Sequence, residues 1–345
     1  MSRVDLIPIR DGAGRWDGAL TGFAATDLYA RHGYVRAAAG DDALLAVVPG
    51  AAGVLAVPLV PQPLPGGAGQ DAESPYGYPG VLVRGEVADC WPLLAEALAQ
   101  RGIINLFLRL HPFADHASCA ELLIGPPHAT AWIPLHEGRA LAFAGGDCAT
   151  HRSQVNRARR LGFTTSIRVA PSTDELAAFR QLYDRTMERL GAGAAYRFDD
   201  TYYARLAAGL GDDLVLVSVV DATGTAVVQA LLMCGPTYGH YHLSARRDDV
   251  HNAAGNLLFE AMADHGAARG LRGIHLGGGV TKADDDSLLQ FKRRIGRGRS
   301  HYRVAGLVCD AARHQRLIDD WRGRSGRAPA WFQAYRQPLA LENVT

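Results

Sequence analysis

No membrane-crossing helix is expected, because the uncharged apolar run from Ala43 to Pro61 is broken by Pro49, Gly50, Gly53 and Pro58. The opening MSRVDLIPIRDGAG has neither the basic n-region nor the apolar h-region of a secretory leader. A cytoplasmic protein is the expectation. Cysteine is scarce: Cys90, Cys119, Cys148, Cys234 and Cys309 are odd in number, scattered and without a C-x-x-C pair, which argues against a disulfide framework or a structural zinc site. They are expected to be reduced and buried. No G-x-S-x-G, H-E-x-x-H or G-x-x-x-x-G-K-[ST] occurs, so hydrolase, zinc-protease and NTPase readings lack support. Net charge is nearly absent as well, 36 basic against 35 acidic residues leaving +1, so the whole molecule is no generic polyanion binder.

What is present is an ordinary globular composition, 48% hydrophobic and 21% charged over 345 residues, enough for about two domains. The charge is unevenly distributed. Residues 149 to 168 carry Arg152, Arg157, Arg159, Arg160 and Arg168 without an acid, and residues 287 to 303 carry Lys292, Arg293, Arg294, Arg297, Arg299 and Arg303, also without one. Such segments either follow a phosphate backbone or form solvated helix faces. The second lies beside Ile274-His275-Leu276-Gly277-Gly278-Gly279, which reads as a strand ending in a glycine turn. Gly277, Gly278 and Gly279 could let backbone N–H groups approach an anionic ligand, or form a plain loop.

In the first half, strands are expected at Ala43 to Val48 and Gly53 to Leu59, then a long Pro/Gly-rich loop from Pro61 to Pro79, a helix from about Val87 to Arg101 and a strand from Ile103 to Leu110. The loop ends in Tyr76-Gly77-Tyr78, whose tyrosines line a substrate pocket or cover a core edge. Strand and helix should continue to alternate to about residue 145, where Gly145-Gly146-Asp147 offers a hinge. From Thr150 a helix runs to Gly162, a strand follows at Thr164 to Val169, and Ser172 with Glu175 makes a capping box that opens a helix stopped by Gly191. A short helix from Tyr202 to Leu210 precedes the runs Leu214 to Val220, Thr225 to Cys234 and Tyr238 to Leu243, a three-stranded meander. A helix through Ala254, Leu257, Leu258, Ala261 and Met262 then ends at Gly270 before the Gly273 to Leu276 strand. His240 and His242 share a strand face at i, i+2, but no third ligand is evident and no metal is expected.

This order resembles that of the GNAT acyltransferase fold. Three segments, Thr150 to Gly162, Tyr241-His242-Leu243-Ser244-Ala245 with Asn252 to Gly270, and Leu276 to Lys292 ending in Phe291-Lys292, resemble the FemX/FemA/FemB family of aminoacyl transferases. The resemblance implies an α+β chain of two GNAT-like domains with mixed central sheets flanked by helices. The first, residues 1–148 completed by 310–345, would take the acceptor; the second, 149–309, would take the acyl donor. It implies amide formation between an activated acyl group and an amine, with aminoacyl-tRNA as co-substrate, no cofactor, and a peptidoglycan precursor or small natural product as acceptor. It assigns Lys292 to oxyanion or donor-phosphate stabilisation and Phe291 to the acyl channel. Tyr76, Tyr78, Arg152, Tyr241 and Ser244 would contact substrate. Arg157, Asn252, Gly255, Gly277, Gly278, Gly279, Arg293 and Arg297 would hold donor phosphates.

The alternative donor is acyl-CoA. Enzymes of this fold that use it carry a Q/R-x-x-G-x-G/A loop at the start of the helix after the meander, where N–H groups bind pyrophosphate. Here the place reads Asn252-Ala253-Ala254-Gly255-Asn256-Leu257, with one glycine and with Leu257 expected to crowd the phosphates. Asp284, Asp285 and Asp286 are candidate bases by position, though adjacent acids more often make turns.

Overall fold

The computed structural model describes residues 4–23, 27–64, 67, 69–114, 119, 121–145, 147–281 and 283–337. These fall into two compact units: the first takes the described residues up to Val35, from Ala39 to Pro127 and from Arg303 on, and the second takes Arg36–Ala38 and His128–Tyr302. The elements in chain order begin with β1 (Asp5–Pro8), α1 (Ala13–Ala19), α2 (His32–Ala39), β2 (Leu44–Pro49), β3 (Ala52–Pro63), β4 (Gln70–Glu73), β5 (Leu82–Glu86), α3 (Cys90–Gln100), β6 (Ile103–Arg109) and β7 (Leu123–Ile124). Next come β8 (His128–Pro134), α4 (Ala149–Arg160), β9 (Thr164–Val169), α5 (Thr173–Arg189), α6 (Asp200–Leu210), β10 (Leu214–Val220), β11 (Ala226–Cys234), β12 (Tyr238–Arg246), α7 (Ala253–Ala268), β13 (Gly273–Gly277), α8 (Ser287–Ile295) and β14 (Gly298–Tyr302). The chain closes with β15 (Val304–Val308) and α9 (Ala311–Ser325).

The first unit is built on an eight-stranded sheet ordered β1-β2-β3-β4-β6-β15-β7, with β5 also on β3. β2 and the middle of β3 are apolar on both faces. Leu44, Ala46 and Val48 pack toward Trp91, Leu94 and Leu98 of α3, while Leu45 and Ala56 join Trp16 and Ile9 on the other side. The Pro61 to Pro79 segment is less irregular than its composition implies, because β3 runs on to Pro63 and Gln70–Glu73 pairs in parallel with β6. Between β6 and α4 the described residues form β7, β8 and a 3-10 turn at Arg139–Leu141, not a further strand and helix repeat. Gly146 of the expected hinge lies outside the described residues. Apart from Arg36–Ala38, the chain passes between units at 127/128 and 302/303, not at the expected 148/149 and 309/310, because β8 joins the second sheet and β15 the first.

On the first unit α9 and residues 333–336 dock over β6. Leu64, Ile104, Ile318, Trp321, Ala334 and Tyr335 make a small core there. Beneath it Asp71, 1% exposed, accepts hydrogen bonds from the Tyr335 hydroxyl at 2.9 Å, Arg336 Nε at 2.7 Å, Gln333 Nε2 at 3.2 Å and Asn105 Nδ2 at 3.3 Å. A buried carboxylate is tolerated when its lone pairs are filled in this way.

The second unit carries a seven-stranded sheet ordered β14-β8-β13-β12-β11-β10-β9. Its local signals read true: Ser172 Oγ accepts from Glu175 N at 3.2 Å and Glu175 Oε2 accepts from Ser172 N at 2.9 Å. Gly191 and Gly270 adopt φ of 62° and 72° just past α5 and α7, a left-handed stop that glycine makes without a Cβ penalty. Two irregularities interrupt the sheet around β12. Leu232 pairs with Tyr241 and Leu231 with Leu243, so His242 is an extra residue that bulges β12. β12 and β13, the parallel pair, are joined only over Tyr238–His240 and Gly273–His275; beyond that the two strands part. The bulge also spoils the expected histidine pair: His240 lies edge-on to His275 at 6.0 Å, and His242 bonds to the Tyr202 hydroxyl.

Candidate active site

Where β12 leaves β13, it forms a cleft of about 730 Å³ with the first turn of α7, with α4 and with α8. One wall is aromatic. The Tyr241 and Phe259 rings lie 5.1 Å apart and Phe259 and Phe291 6.1 Å apart, within the range of favourable edge and tilted contacts. The Tyr241 hydroxyl is hydrogen-bonded to Ser244, and burial pushes its pKa up, so it keeps its proton. Thr150, Gln154 and Arg157 face the cleft from α4, Asn252 and Gly255 from α7, and Arg294 from α8. No aspartate or glutamate lines it among the described residues.

Two N–H groups in the first turn of α7 are taken by the protein itself. His251 Nδ1 accepts from Ala253 N at 3.0 Å, and His251 O accepts from Ala254 N at 3.1 Å. Asn256 is bonded to His151 Nδ1 at 3.0 Å. His151 is 1% exposed, and burial lowers its pKa to about 4, so the ring is neutral and Nδ1–H donates to Asn256 Oδ1. Leu257, expected to crowd the cleft, is turned into the core instead.

The two acid-free segments are not acid-free in space. Arg159 pairs with Glu260, Arg168 with Glu175, Arg293 with Asp284, Arg297 with Glu137 and Arg299 with Asp147. Arg152 donates to the carbonyls of Phe143 and Gly145 at 2.7 and 2.8 Å, and Arg303 donates to Gly125 O at 3.0 Å. Arg152, Arg293 and Arg297, expected at substrate or phosphate, each already have partners on their own chain. Among the described residues Arg157, Arg160 and Arg294 have no such partner, and of these Arg157 and Arg294 line the cleft.

The glycine triplet and Lys292 also take different places from those expected. A Cβ on Gly279 would lie 2.3 Å from Asp286 Oδ1, and one on Gly278 3.0 Å from Ala129 O. Gly278 and Gly279 leave no room for a side chain, because the loop packs on its own protein there. Asp286 caps α8 by accepting from Leu289 N at 3.0 Å, and it pins the loop by accepting from Thr281 N at 2.8 Å and Val280 N at 3.1 Å. The Thr281 and Leu289 amides draw its pKa down to about 2. That leaves Asp286 no use as a base. Asp286→Ala should speed hydrogen exchange of the Thr281 and Val280 amides about tenfold; unchanged rates would show that the loop is held by other means.

Lys292 does not line the cleft. Phe291 does, and the next helical residue points about 100° away, so Lys292 runs beneath the β13 terminus and donates from Nζ to Gly278 O at 2.7 Å. It is 9% exposed, and burial lowers its pKa to about 8 despite the opposing field of Asp286. Below about 8 both folded and unfolded states carry this proton and the burial cost is complete. The cost is relieved as pH rises from about 8 toward the unfolded value near 10.5. An ¹⁵N-lysine titration should show one resonance with a midpoint near 8 that Lys292→Arg removes; a midpoint above 10 for every lysine would contradict the burial argument.

Tyr76 and Tyr78 belong to the first unit. Gly77 between them has φ 92° and sits on the Tyr29 ring, where a Cβ would come to 2.3 Å. Tyr34 donates its hydroxyl to Tyr76 O at 2.9 Å, and Tyr78 packs on Tyr29 at 6.0 Å. Tyr76 is 43% exposed. Both tyrosines crown an aromatic cluster of the first unit.

Of the cleft residues, Phe291, Tyr241, Ser244, Arg157, Asn252 and Gly255 were readable from sequence. His151, Gln154, Asn256, Phe259 and Arg294 were not. Arg294 was within reach, because it follows Phe291 by three positions, the helical spacing for a shared face.

A sequence profile of the acetyltransferase (GNAT) domain family matches residues 149–293, which contain most of the cleft. Among solved structures the chain is similar to FemX, with a TM-score of 0.67 at 13% identity over 91% of this chain and 99% of that one. It is also similar to the C-terminal domain of a putative lysylphosphatidylglycerol synthetase from Agrobacterium fabrum, with a TM-score of 0.57 at 16% identity over 91% and 97% of the two chains. L-PGS from Bacillus licheniformis gives 0.58 at 14% identity over 85% and 91%. A search of curated protein sequences finds no match.

Proposed function

We propose that this chain, an acyltransferase with the Fem-like GNAT fold, moves an aminoacyl group from tRNA to an acceptor amine. The observation that supports this best is the cleft at the parting of β12 and β13, which has arginines without an acid partner among the described residues and an aromatic wall, while two N–H groups of the first turn of α7 are taken by His251. That turn is where an acyl-CoA enzyme would need bare N–H groups for pyrophosphate, and the bonds that Ala253 and Ala254 already make to His251 favour RNA over CoA. The acceptor amine attacks the ester carbonyl as a neutral nucleophile, and the tetrahedral oxyanion collapses to the amide with loss of the ribose oxygen, which takes up the proton that the attacking nitrogen gives up. An ester is already activated, so positioning and charge stabilisation suffice without a covalent enzyme intermediate.

In this reading Phe291, Phe259 and Tyr241 shape the channel, and Arg157 and Arg294 hold phosphate. Lys292 is a positioning residue. It fixes the Gly277–Gly279 backbone at the end of β13 and puts a positive charge beneath it. We assign acceptor recognition to the first unit, with Tyr76 and Tyr78 as candidate contacts and a peptidoglycan precursor or small natural product as acceptor. The test is to incubate the protein with intact charged tRNA, RNase-treated charged tRNA and acyl-CoA, each with a panel of amines, and follow donor loss. Loss only with intact charged tRNA supports the reading. Amine-dependent loss with acyl-CoA, insensitive to RNase, selects the alternative donor, and loss with neither overturns both.

A further inference from the structure

The cleft contains Arg157, Arg246 and Arg294 and, among the described residues, no carboxylate, so it sets a charge requirement on whatever fills it. Resting on the donor reading above, we propose that it accepts a donor whose transferred group is neutral or anionic and rejects one with a cationic side chain, such as lysyl or arginyl. Local pairing sets the requirement. Arginines elsewhere on the same two segments, Arg159, Arg293 and Arg297, are neutralised by Glu260, Asp284 and Glu137. The two that face the cleft have no acid opposite them among the described residues.

A ligand must therefore bring the negative charge itself, and a donor's phosphate does so. Arg246 adds a third cation, held in place by a hydrogen bond to Val250 O. It lines the cleft with Tyr241 and Ser244, and those two hydroxyls offer no negative charge to a cationic side chain. A lysyl ammonium would meet like charge in a partly desolvated space, with no acid to offset its lost hydration. An alanyl group meets no such penalty, and its methyl group suits the Phe259 and Phe291 wall.

The test uses the full chain and two kinds of probe. Inorganic pyrophosphate is titrated calorimetrically into the wild type and into Arg157→Glu and Arg294→Glu. Amide-linked 3′-alanylamino- and 3′-lysylamino-adenosine 5′-monophosphate, which cannot hydrolyse, are then competed against it. The expected result is that pyrophosphate binds the wild type and fails on both variants, while circular dichroism reports an unchanged fold. On the wild type the alanyl analogue should displace it at least about tenfold better than the lysyl analogue; titrated directly into Arg294→Glu, which holds no pyrophosphate to displace, the two analogues should differ less or in the opposite order. Equal displacement by the two analogues, or no pyrophosphate binding to the wild type, overturns the charge requirement. Pyrophosphate binding that both variants lose, with neither analogue displacing it, overturns the aminoacyl-donor reading and leaves the cleft an anion site of another kind.

Discussion

Replacing Arg157 and Arg294 together with alanine lowers kcat/KM for aminoacyl transfer by about a hundredfold or more, with thermal stability unchanged. Each guanidinium is exposed and lacks a partner among the described residues, so its removal strands no buried charge and costs the fold little. Each is free to make charge-assisted hydrogen bonds to a phosphate, worth roughly 1.5–3 kcal/mol apiece, and two at the lower end already give about a hundredfold. Arg159→Ala supplies the contrast. That side chain sits on the same helix but is spent on Glu260, and removing an exposed ion pair costs about 1 kcal/mol or less. Activity should be unaltered. If Arg159→Ala and the double variant lose activity alike, the cleft arginines have no special standing and general charge on α4 explains the effect.

The largest expected stability loss is in the first unit. Asp71→Ala should destabilise it by about 3–5 kcal/mol, the range for breaking one side of a buried, hydrogen-bonded charge pair. The substitution removes the acceptor shared by Tyr335, Arg336, Gln333 and Asn105, and it leaves the Tyr335 hydroxyl and Asn105 amide with fewer partners in a water-poor place. Asp71→Asn should fall between, since it keeps one acceptor oxygen and loses the charge facing Arg336. Urea unfolding of the three proteins measures this. A loss under about 1 kcal/mol for Asp71→Ala, the size of an exposed pair, would mean that residues 333–336 dock through apolar contact alone. Arg336→Ala tests the same contact from the other side, and there the loss should be smaller because the arginine is partly solvated.

Much of the second unit is legible in the residues alone, and the parts that are not share a cause. The Ser172 and Glu175 capping box, the glycine stops at 191 and 270 and the meander from Leu214 to Leu243 are local patterns whose physics is complete within a few residues. Tyr241, Ser244 and Phe291 can be placed because a strand and a helix with known register carry them to one side. The arginine segments mislead because neutralising acids come from distant positions: Glu137 lies far upstream of Arg297, and Glu260 sits on α7 opposite Arg159. Sequence shows charge runs, and pairing is a property of packing. The glycine triplet misleads for a similar reason, since nothing local says that Asp286 will fold back onto Gly279. His151 escapes notice because a lone histidine on a helix carries no signal until Asn256 lies opposite it.

Donor binding in the second unit's cleft, between α4, α7, α8 and the parted end of β12, is the claim on which the proposed chemistry rests. It is tested most directly by a crystal structure of the full chain with the amide-linked alanyl-adenosine monophosphate. Phosphate should lie within hydrogen-bond reach of Arg157 or Arg294, with the alanyl group against Phe291 and Tyr241. A ligand bound elsewhere at full occupancy, with this cleft holding solvent alone, would contradict it.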